Sequence, residues 1–233
     1  MKNLLTLILI LALGITGLSQ TKVLEKEVPE NVDKGVWGPN LRHYGHFFVG
    51  IGMLPEFDGT GQHNSWTSSS AKFGYRYKLK VFNFYALGLE AFTQRLTYRI
   101  KSDNFIINPN SYGDNTIDWD NQLNRFLTVG GSAYQRINFD RRGNFLGKYL
   151  DVGISANYIY GSRNVFSYQP NDGTASKVKV KEKGLTSLEE TYWGLFGRIG
   201  FNKFAFTFNY RMSPMFEIAE VFEPYQIGIE IGF

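Results

Sequence analysis

The chain of 233 residues is long enough for one domain of ordinary size or for one β-barrel. Its 43% hydrophobic and 20% charged residues exclude a disordered chain, and its seven prolines without a fixed glycine period exclude a collagen-like sequence. Without cysteine it can hold no disulfide, no cysteine-ligated zinc or iron–sulfur centre and no lipid-modified N-terminal cysteine. A formal charge of +4 is too small to indicate a nucleic-acid partner.

The first nineteen residues have the pattern of a secretory signal peptide. Lys2 precedes an apolar run from Leu4 to Leu18, and the small residue Ser19 follows this run. The run is shorter than the roughly 20 apolar residues that a spanning helix needs, so we predict cleavage after Ser19 and not a retained anchor. Residues 20–40 have no regular period, and we expect a periplasmic arm that docks on a partner or folds under the next domain.

From residue 41 onward, apolar residues recur at every second position, which is typical of strands with one apolar and one polar face. The clearest examples are Ala71 to Val81, Phe204 to Met212 and Tyr225 to Phe233. Eight strands are predicted in this way: 41–54, 69–81, 84–99, 119–137, 148–162, 189–201, 204–212 and 224–233.

The connections between the predicted strands alternate in length. Residues 55–68, 100–118, 163–188 and 213–223 are long and polar, whereas 82–83, 138–147 and 202–203 are short. Long extracellular loops and short periplasmic turns are the layout of transmembrane barrels. We therefore predict an all-β fold over residues 41–233, an eight-stranded antiparallel up-and-down transmembrane β-barrel.

The polar face of these strands is rich in glycine, for example at Gly74, Gly88 and Gly200. A soluble barrel would bury its apolar face, and its outer surface would then be unusually bare of side chains. Small residues fit better inside an eight-stranded barrel, where internal space is scarce. The apolar face is therefore predicted to contact lipid, with aromatic girdles that include Tyr85, Tyr160, Trp193 and Tyr225.

Hairpin register places opposite charges together on the inner face. A turn about Asn83 sets Val81 opposite Tyr85 and Arg76 opposite Glu90, and buried charges in a barrel must be paired. We predict that an ion network fills the lumen, in preference to an ion pathway, and that Lys72 lies nearer the outer rim. The predicted network consists of Lys72, Arg76, Glu90, Arg198, Arg211 and Glu230.

These features together resemble the small eight-stranded outer-membrane barrels of the OmpA-transmembrane-domain and OmpX-like superfamily. The closing run from Tyr225 to Phe233, with a terminal Phe, is similar to the signal that the barrel-assembly machinery recognises in that superfamily. The resemblance implies an insertion signal formed by Tyr225, Ile227, Ile229, Ile231 and Phe233. Gln20, directly after the predicted cleavage site, resembles exported proteins of Bacteroidota, whose small barrels include subunits of secretion and envelope assemblies.

Catalytic chemistry has few candidate residues in this chain. His43 and His46 lie three apart on a strand and therefore on opposite faces, so they cannot share one metal. His63 with Ser65 is superficially similar to the His-x-Ser of outer-membrane lipid A deacylases, but a loop tip holds a base poorly beside its nucleophile. Asp118 and Asp120 are interpreted as solvated rim charges. We predict no catalytic, metal or cofactor-binding residues and no cofactor.

The predicted loops offer two candidate surfaces. In the third loop a basic face could bind lipopolysaccharide phosphates or an acidic partner, or could simply be a solvated strand extension: Lys177, Lys179, Lys181 and Lys183. The fourth loop has a cluster of apolar residues that could form an interface or fold back over the barrel mouth: Met215, Phe216, Ile218, Val221 and Phe222.

The sequence therefore predicts a non-enzymatic protein of the bacterial outer membrane with a closed lumen. It would act through its arm and loops as an accessory subunit of an outer-membrane assembly, such as one for secretion or envelope biogenesis. Expected partners are outer-membrane lipid and lipopolysaccharide, the barrel-assembly machinery during insertion and a protein of that assembly, with no nucleic acid. A small pore, a lipid-modifying enzyme and a loop-based adhesin or lipopolysaccharide binder are the alternatives.

Overall fold

The structure, a computed structural model, describes residues 35–57, 63–100, 121–139, 143–168, 178–184, 188–216 and 222–233. They belong to one compact unit, Gly35–Phe233. Outside the described residues lie the predicted signal peptide (1–19), residues 20–34 of the predicted arm and most of the second loop, with Asp118 and Asp120. Lys177, Ile218 and Val221 also lie outside them.

The described part of the chain is all-β and contains no helix. It accordingly offers no helix with the length and apolar character needed to cross a membrane. Nine strands follow one another along the chain: β1 (His43–Met53), β2 (Ser69–Phe82), β3 (Tyr85–Ile100), β4 (Asn121–Asn138), β5 (Lys148–Tyr168), β6 (Val178–Lys183), β7 (Thr191–Phe201), β8 (Phe204–Arg211) and β9 (Tyr225–Gly232).

All nine strands belong to one antiparallel sheet that closes in a ring. The order is β4-β3-β2-β1-β9-β8-β7-β5-β6, and the additional pairing of β4 with β5 closes it. β5 pairs with β7 from Lys148 to Tyr158 and with β6 from Arg163 to Tyr168. The edge where β2 meets β3 and β7 meets β8 is called the turn end below, and the opposite edge the loop end.

The two short hairpins have nearly the predicted register. Arg76 lies opposite Glu90, as predicted, and Gly194 lies opposite Arg211. Asn202 has a φ of 55° in the two-residue turn between β7 and β8, a left-handed conformation that asparagine tolerates. The predicted pair Val81–Tyr85 is wrong: an irregularity after Lys80 leaves Val81 out of the ladder, so that Phe82 faces Tyr85.

The outward face of the ring is apolar and the inward face is polar, as predicted. Ile51, Leu89 and Ile199 are 65%, 62% and 67% exposed, whereas Arg76 and Arg198 are 2% and 1% exposed. Large lumen side chains occupy the space that inner glycines leave. A Cβ on Gly88 would collide with the Tyr134 ring, and a Cβ on Gly200 would collide with the Tyr149 ring.

A bulge in the pairing of β4 with β5 changes which face of β5 points outward. Thr128 pairs with Ile159 and Leu127 pairs with Gly161, so Tyr160 is an extra residue in β5. Odd-numbered β5 residues beyond the bulge therefore share a face with even-numbered residues before it. Asn164 and Phe166 consequently point inward and are fully buried.

Candidate functional site

The candidate site is the charged interior of the ring, and Glu90 lies at its centre. Its carboxylate accepts a hydrogen bond from Lys72 Nζ at 2.5 Å, from Arg76 Nε at 2.9 Å and from Arg198 Nη2 at 2.9 Å. Two strands supply these cations, β2 with Lys72 and Arg76 and β7 with Arg198, while Glu90 itself is on β3. One carboxylate thus joins opposite walls of the ring.

Two further carboxylates extend the network around the lumen. Asp151 accepts two hydrogen bonds from Arg136, at 2.6 and 2.8 Å, and one from Arg198 at 2.9 Å. Glu230 lies 2.6 Å from Arg76 Nη2 and 3.0 Å from Arg198 Nε. Arg198 therefore contacts all three carboxylates, and four cations face three anions within a buried interior.

Most of the charges predicted for the lumen lie in this network, namely Lys72, Arg76, Glu90, Arg198 and Glu230. Arg211, the other residue of the predicted network, lies toward the loop end, opposite Gly194, and its Nη2 donates to the carbonyl of Phe222 at 2.5 Å. The strand-end position brings this side chain to a loop carbonyl and not to the central carboxylates.

Arg136 and Asp151 were missed by the sequence analysis, although both are fully buried and face each other across β4 and β5. A signal existed in the hairpin register, which brings these opposite charges into one cross-strand pair. The connection between β4 and β5 is too long for that register to be read from the turn.

Aromatic rings cover the faces of the buried cations. Lys72 Nζ lies 3.8 Å from the centroid of Phe92, and the Arg136 guanidinium carbon lies 3.7 Å from that of Tyr149. Arg76 lies 4.3 Å over Phe48. Cation–π attraction of this kind replaces part of the hydration that the cations lose on burial.

The described end of the predicted arm closes the turn end of the lumen. Lys78 is 1% exposed, and its ammonium donates to the carbonyl of Pro39. Lys80 Nζ donates to the carbonyl and side-chain oxygens of Asn40 at 3.0 and 3.2 Å. The neighbouring Asn40 side chain donates to the carbonyl of Gly143 at 2.8 Å, so this segment is fastened across the end of the ring.

An apolar cluster closes the loop end. Its buried members are Leu54, Leu96, Tyr98, Ile100, Phe126, Ile159, Met215, Phe216 and Phe222. Met215, Phe216 and Phe222 are only 1%, 7% and 1% exposed, in agreement with the alternative that they fold back over the barrel mouth. Their side chains fold back over the mouth of the ring because burial there removes them from water, and Phe222 stacks on Tyr98 with centroids 4.0 Å apart.

A small cavity of about 50 Å³, lined by both polar and apolar side chains, separates the ion network from the apolar cluster. Gln94 donates to Gln226 at 2.8 Å, and Gln226 donates to Ser70 at 2.9 Å beside it. A water needs roughly 10–15 Å³ of such volume, so the cavity has room for a few waters. It is too small for a sugar or an acyl chain.

His43 and His63 lie at opposite ends of the ring, His43 at the turn end and His63 at the loop end. His63 is 1% exposed beneath the apolar cluster, and its Nε2 lies 3.0 Å from the carbonyl of Leu54. It is therefore not at an open loop tip, as the sequence analysis assumed. Ser65 Oγ accepts from the backbone N–H of Glu56, and His43 Nδ1 lies 2.6 Å from the Tyr77 hydroxyl.

The remaining predicted residues lie on the outside of the ring. Lys179, Lys181 and Lys183 are exposed on β6. The side chains of the predicted insertion signal lie on the outward face of β9 and directly after it: Tyr225, Ile227, Ile229, Ile231 and Phe233.

No protein-family model and no curated protein matches this chain in sequence.

Proposed function

We propose that this chain is an integral outer-membrane protein with an eight-stranded barrel that is closed at both ends. In this proposal β6 and the end of β5 form a hairpin that extends beyond the barrel, and β6 is not one of the eight barrel strands. The observation that carries the proposal is the inverted polarity of the ring, with ion pairs inside and apolar side chains outside.

The outward apolar face supports a lipid environment. In water it would be a belt of exposed residues around the whole ring, which soluble monomers avoid. The belt includes Phe47, Ile51, Leu89, Ile154, Ile199 and Phe206. β7 has 11 residues, a length that fits the roughly 9–11 residues of a tilted strand crossing a bilayer. The run from Tyr225 to Phe233 would serve as the insertion signal for the barrel-assembly machinery.

The sealed interior argues against the pore alternative. An ion would have to pass the Lys78–Pro39 contact, the three-carboxylate network and the apolar cluster at Phe222. A packed lumen is expected for eight strands, which enclose only enough space for side chains. We therefore propose that the barrel does not conduct.

The sealed interior also leaves only the outer surfaces for function. A lipid-modifying enzyme would need an accessible base and nucleophile, whereas His63 is buried and contacts a backbone carbonyl. Exposed aromatic residues remain at both ends, with Trp37 at 64% and Trp66 at 87% exposure. We propose that the protein is a non-enzymatic interaction or accessory subunit of an outer-membrane assembly, working through these ends.

The test is reconstitution of the purified chain into phosphatidylcholine vesicles. Flotation that resists carbonate extraction, together with a heat-dependent change of electrophoretic migration, is expected for an inserted barrel. Planar bilayers with the protein should show no conductance steps. Mild-detergent purification from the native membrane should recover a stoichiometric protein partner. Protein that stays in the aqueous fraction would refute insertion, and a solitary monomer would refute the subunit role.

A further inference from the structure

Four adjacent strands carry a set of cations on their outward face near the loop end. We call this set the cationic face: Arg95 and Arg99 on β3, Arg125 on β4, Arg163 on β5, and Lys179, Lys181 and Lys183 on β6. Because paired strand residues share a face, the register places all seven on one side of the sheet. No Asp or Glu occupies the outward face of the described parts of these four strands.

Three of these cations are direct cross-strand neighbours. Arg125 pairs with Arg163, and Arg163 pairs with Lys183, so they form one row across β4, β5 and β6, called the cationic row below. Like charges in directly opposed positions repel one another. The bulge accommodates Tyr160 as an extra residue, since one-to-one pairing of the unchanged β5 sequence would turn Arg163 toward the interior.

No described residue neutralises the cationic row. Arg125, Arg163 and Lys183 make no ion pair with any carboxylate in the described part of the chain, and Arg125 Nε is buried there without a hydrogen-bond partner. A repulsive arrangement of this kind is relieved when an anion from outside binds between the side chains. Guanidinium groups suit phosphate, because they donate two parallel hydrogen bonds to its oxygens.

The surface on the turn-end side of the row is apolar. Val129 lies four residues along β4 from Arg125, and it lines an open groove with Ala156, Tyr158 and Trp193. Four strand residues correspond to roughly 13 Å. Cations therefore lie above an apolar groove on one outward face, an arrangement that matches a phosphate headgroup above an acyl chain.

We propose that the cationic row binds the phosphate groups of a phosphorylated lipid in the outer leaflet, with the lipid's acyl chain in the groove beside Trp193. This inference rests on the proposed membrane insertion, which would place the upper edge of the apolar belt at headgroup level. It assigns a ligand class, a phosphorylated lipid such as lipid A, to a surface outside the sealed lumen.

Two triple variants test the proposal. The first, Arg125→Gln with Arg163→Gln and Lys183→Gln, removes the cationic row. The matched control, Arg42→Gln with Lys148→Gln and Lys203→Gln, removes the same charge from exposed positions at the turn end. Each protein is purified from membranes in neutral detergent and mixed with diphosphorylated lipid A, and the amount of lipid A bound per protein is measured. The same binding measurement is repeated with lipid A whose phosphates have been removed.

We expect the first variant to bind diphosphorylated lipid A more weakly by on the order of tenfold or more, because two or three charge-assisted contacts are lost. The control should bind like the wild type, and lipid A without phosphates should bind weakly to all three proteins. Equal weakening in both variants, or equal binding of the dephosphorylated lipid, would overturn the proposal. Displacement of lipid A by excess inorganic phosphate alone would overturn the lipid assignment.

Flotation with phosphatidylcholine vesicles separates this inference from the proposed function. Heat-dependent migration first establishes that each variant is folded. If all three proteins float and only the row variant loses lipid A, both proposals stand. If they float but lipid binding does not depend on the row, the inference fails alone. If the wild type does not float, the proposed function fails.

Discussion

Replacing Glu90 by Gln tests whether the lumen network stabilises the ring. The change keeps the shape of the side chain but removes the charge that faces three cations, at 2.5 Å for Lys72 and at 2.9 Å for both Arg76 and Arg198. Removing one partner of a buried ion pair costs about 3–5 kcal/mol, because the other charge stays buried. The Glu90 side chain is fully buried, so water cannot replace it without rearrangement.

We therefore expect Glu90→Gln to lower the free energy of unfolding by about 3–5 kcal/mol. The measurement is urea unfolding in lipid vesicles, followed by tryptophan fluorescence. Glu189→Gln, at an exposed position, is the control and should change stability by less than about 0.5 kcal/mol. Adding Lys72→Met to Glu90→Gln removes the excess cation. The free energy of unfolding of the double variant should therefore fall by less than the sum of the decreases in the two single variants. If Glu90→Gln lowered the free energy of unfolding no more than Glu189→Gln does, the lumen network would not stabilise the ring.

Three other outcomes follow from the packing and the surface charges. Gly200→Ala should destabilise the ring by about 1–3 kcal/mol in the same unfolding assay, because its Cβ would collide with the Tyr149 ring. The control Gly197→Ala should leave the free energy of unfolding unchanged, because the space around its Cβ is open. Phe222→Ala should cost about 3–5 kcal/mol through loss of the stack on Tyr98, and Phe57→Ala, exposed, should cost far less. Arg163→Gln should raise stability in neutral detergent by about 0.2–1 kcal/mol through lost repulsion, and moderate salt should abolish this gain; an unchanged gain in salt would contradict the repulsion.

Eight of the nine described strands, and their faces, were predictable because burial alternates at every second residue. The ninth, β6 (Val178–Lys183), lies within the predicted third loop, residues 163–188. The run from Ala71 to Val81 has one outward-facing and one lumen-facing set of side chains, and each set has a consistent chemistry. Register was predictable across short turns, where few arrangements close the chain. The Arg76–Glu90 pair is an example. The irregularity after Lys80 was not predictable in this way, and for that reason the predicted pair Val81–Tyr85 is wrong.

The ends of the ring were not predictable in the same way. Residues such as Met215 and Phe222 have no periodic pattern, and an apolar loop residue can be covered by a partner or by its own chain. Which of these occurs depends on the shape of the mouth, here formed by Tyr98, Phe126 and Ile159. The cationic row was hidden for a related reason. Lys183 was visible in the sequence, but its neighbours Arg163 and Arg125 share its face only through the bulge.

Deleting Tyr160 tests whether the bulge acts only by accommodating one extra residue in β5. Tyr158 and Gly161 both lie on the outward face, and Ile159 between them is buried. Without Tyr160, Gly161 follows Ile159 directly, so the ladder becomes regular while every other β5 residue keeps its partner and its face. Deleting Ser155 from the same strand instead shifts the register and turns one part of β5 inside out.

We therefore expect the chain without Tyr160 to fold into the ring and to keep the cationic row, at the cost of one exposed aromatic side chain. The chain without Ser155 should fail to fold, because interior residues would turn outward: Asp151 if the first part of β5 turns over, or Asn157 and Ile159 if the part after position 155 does. Heat-dependent migration measures the folded fraction of each. If the two deletions lowered the folded fraction equally, the faces of β5 would depend on the local geometry of the bulge. The number of residues in the strand would then not be what decides them.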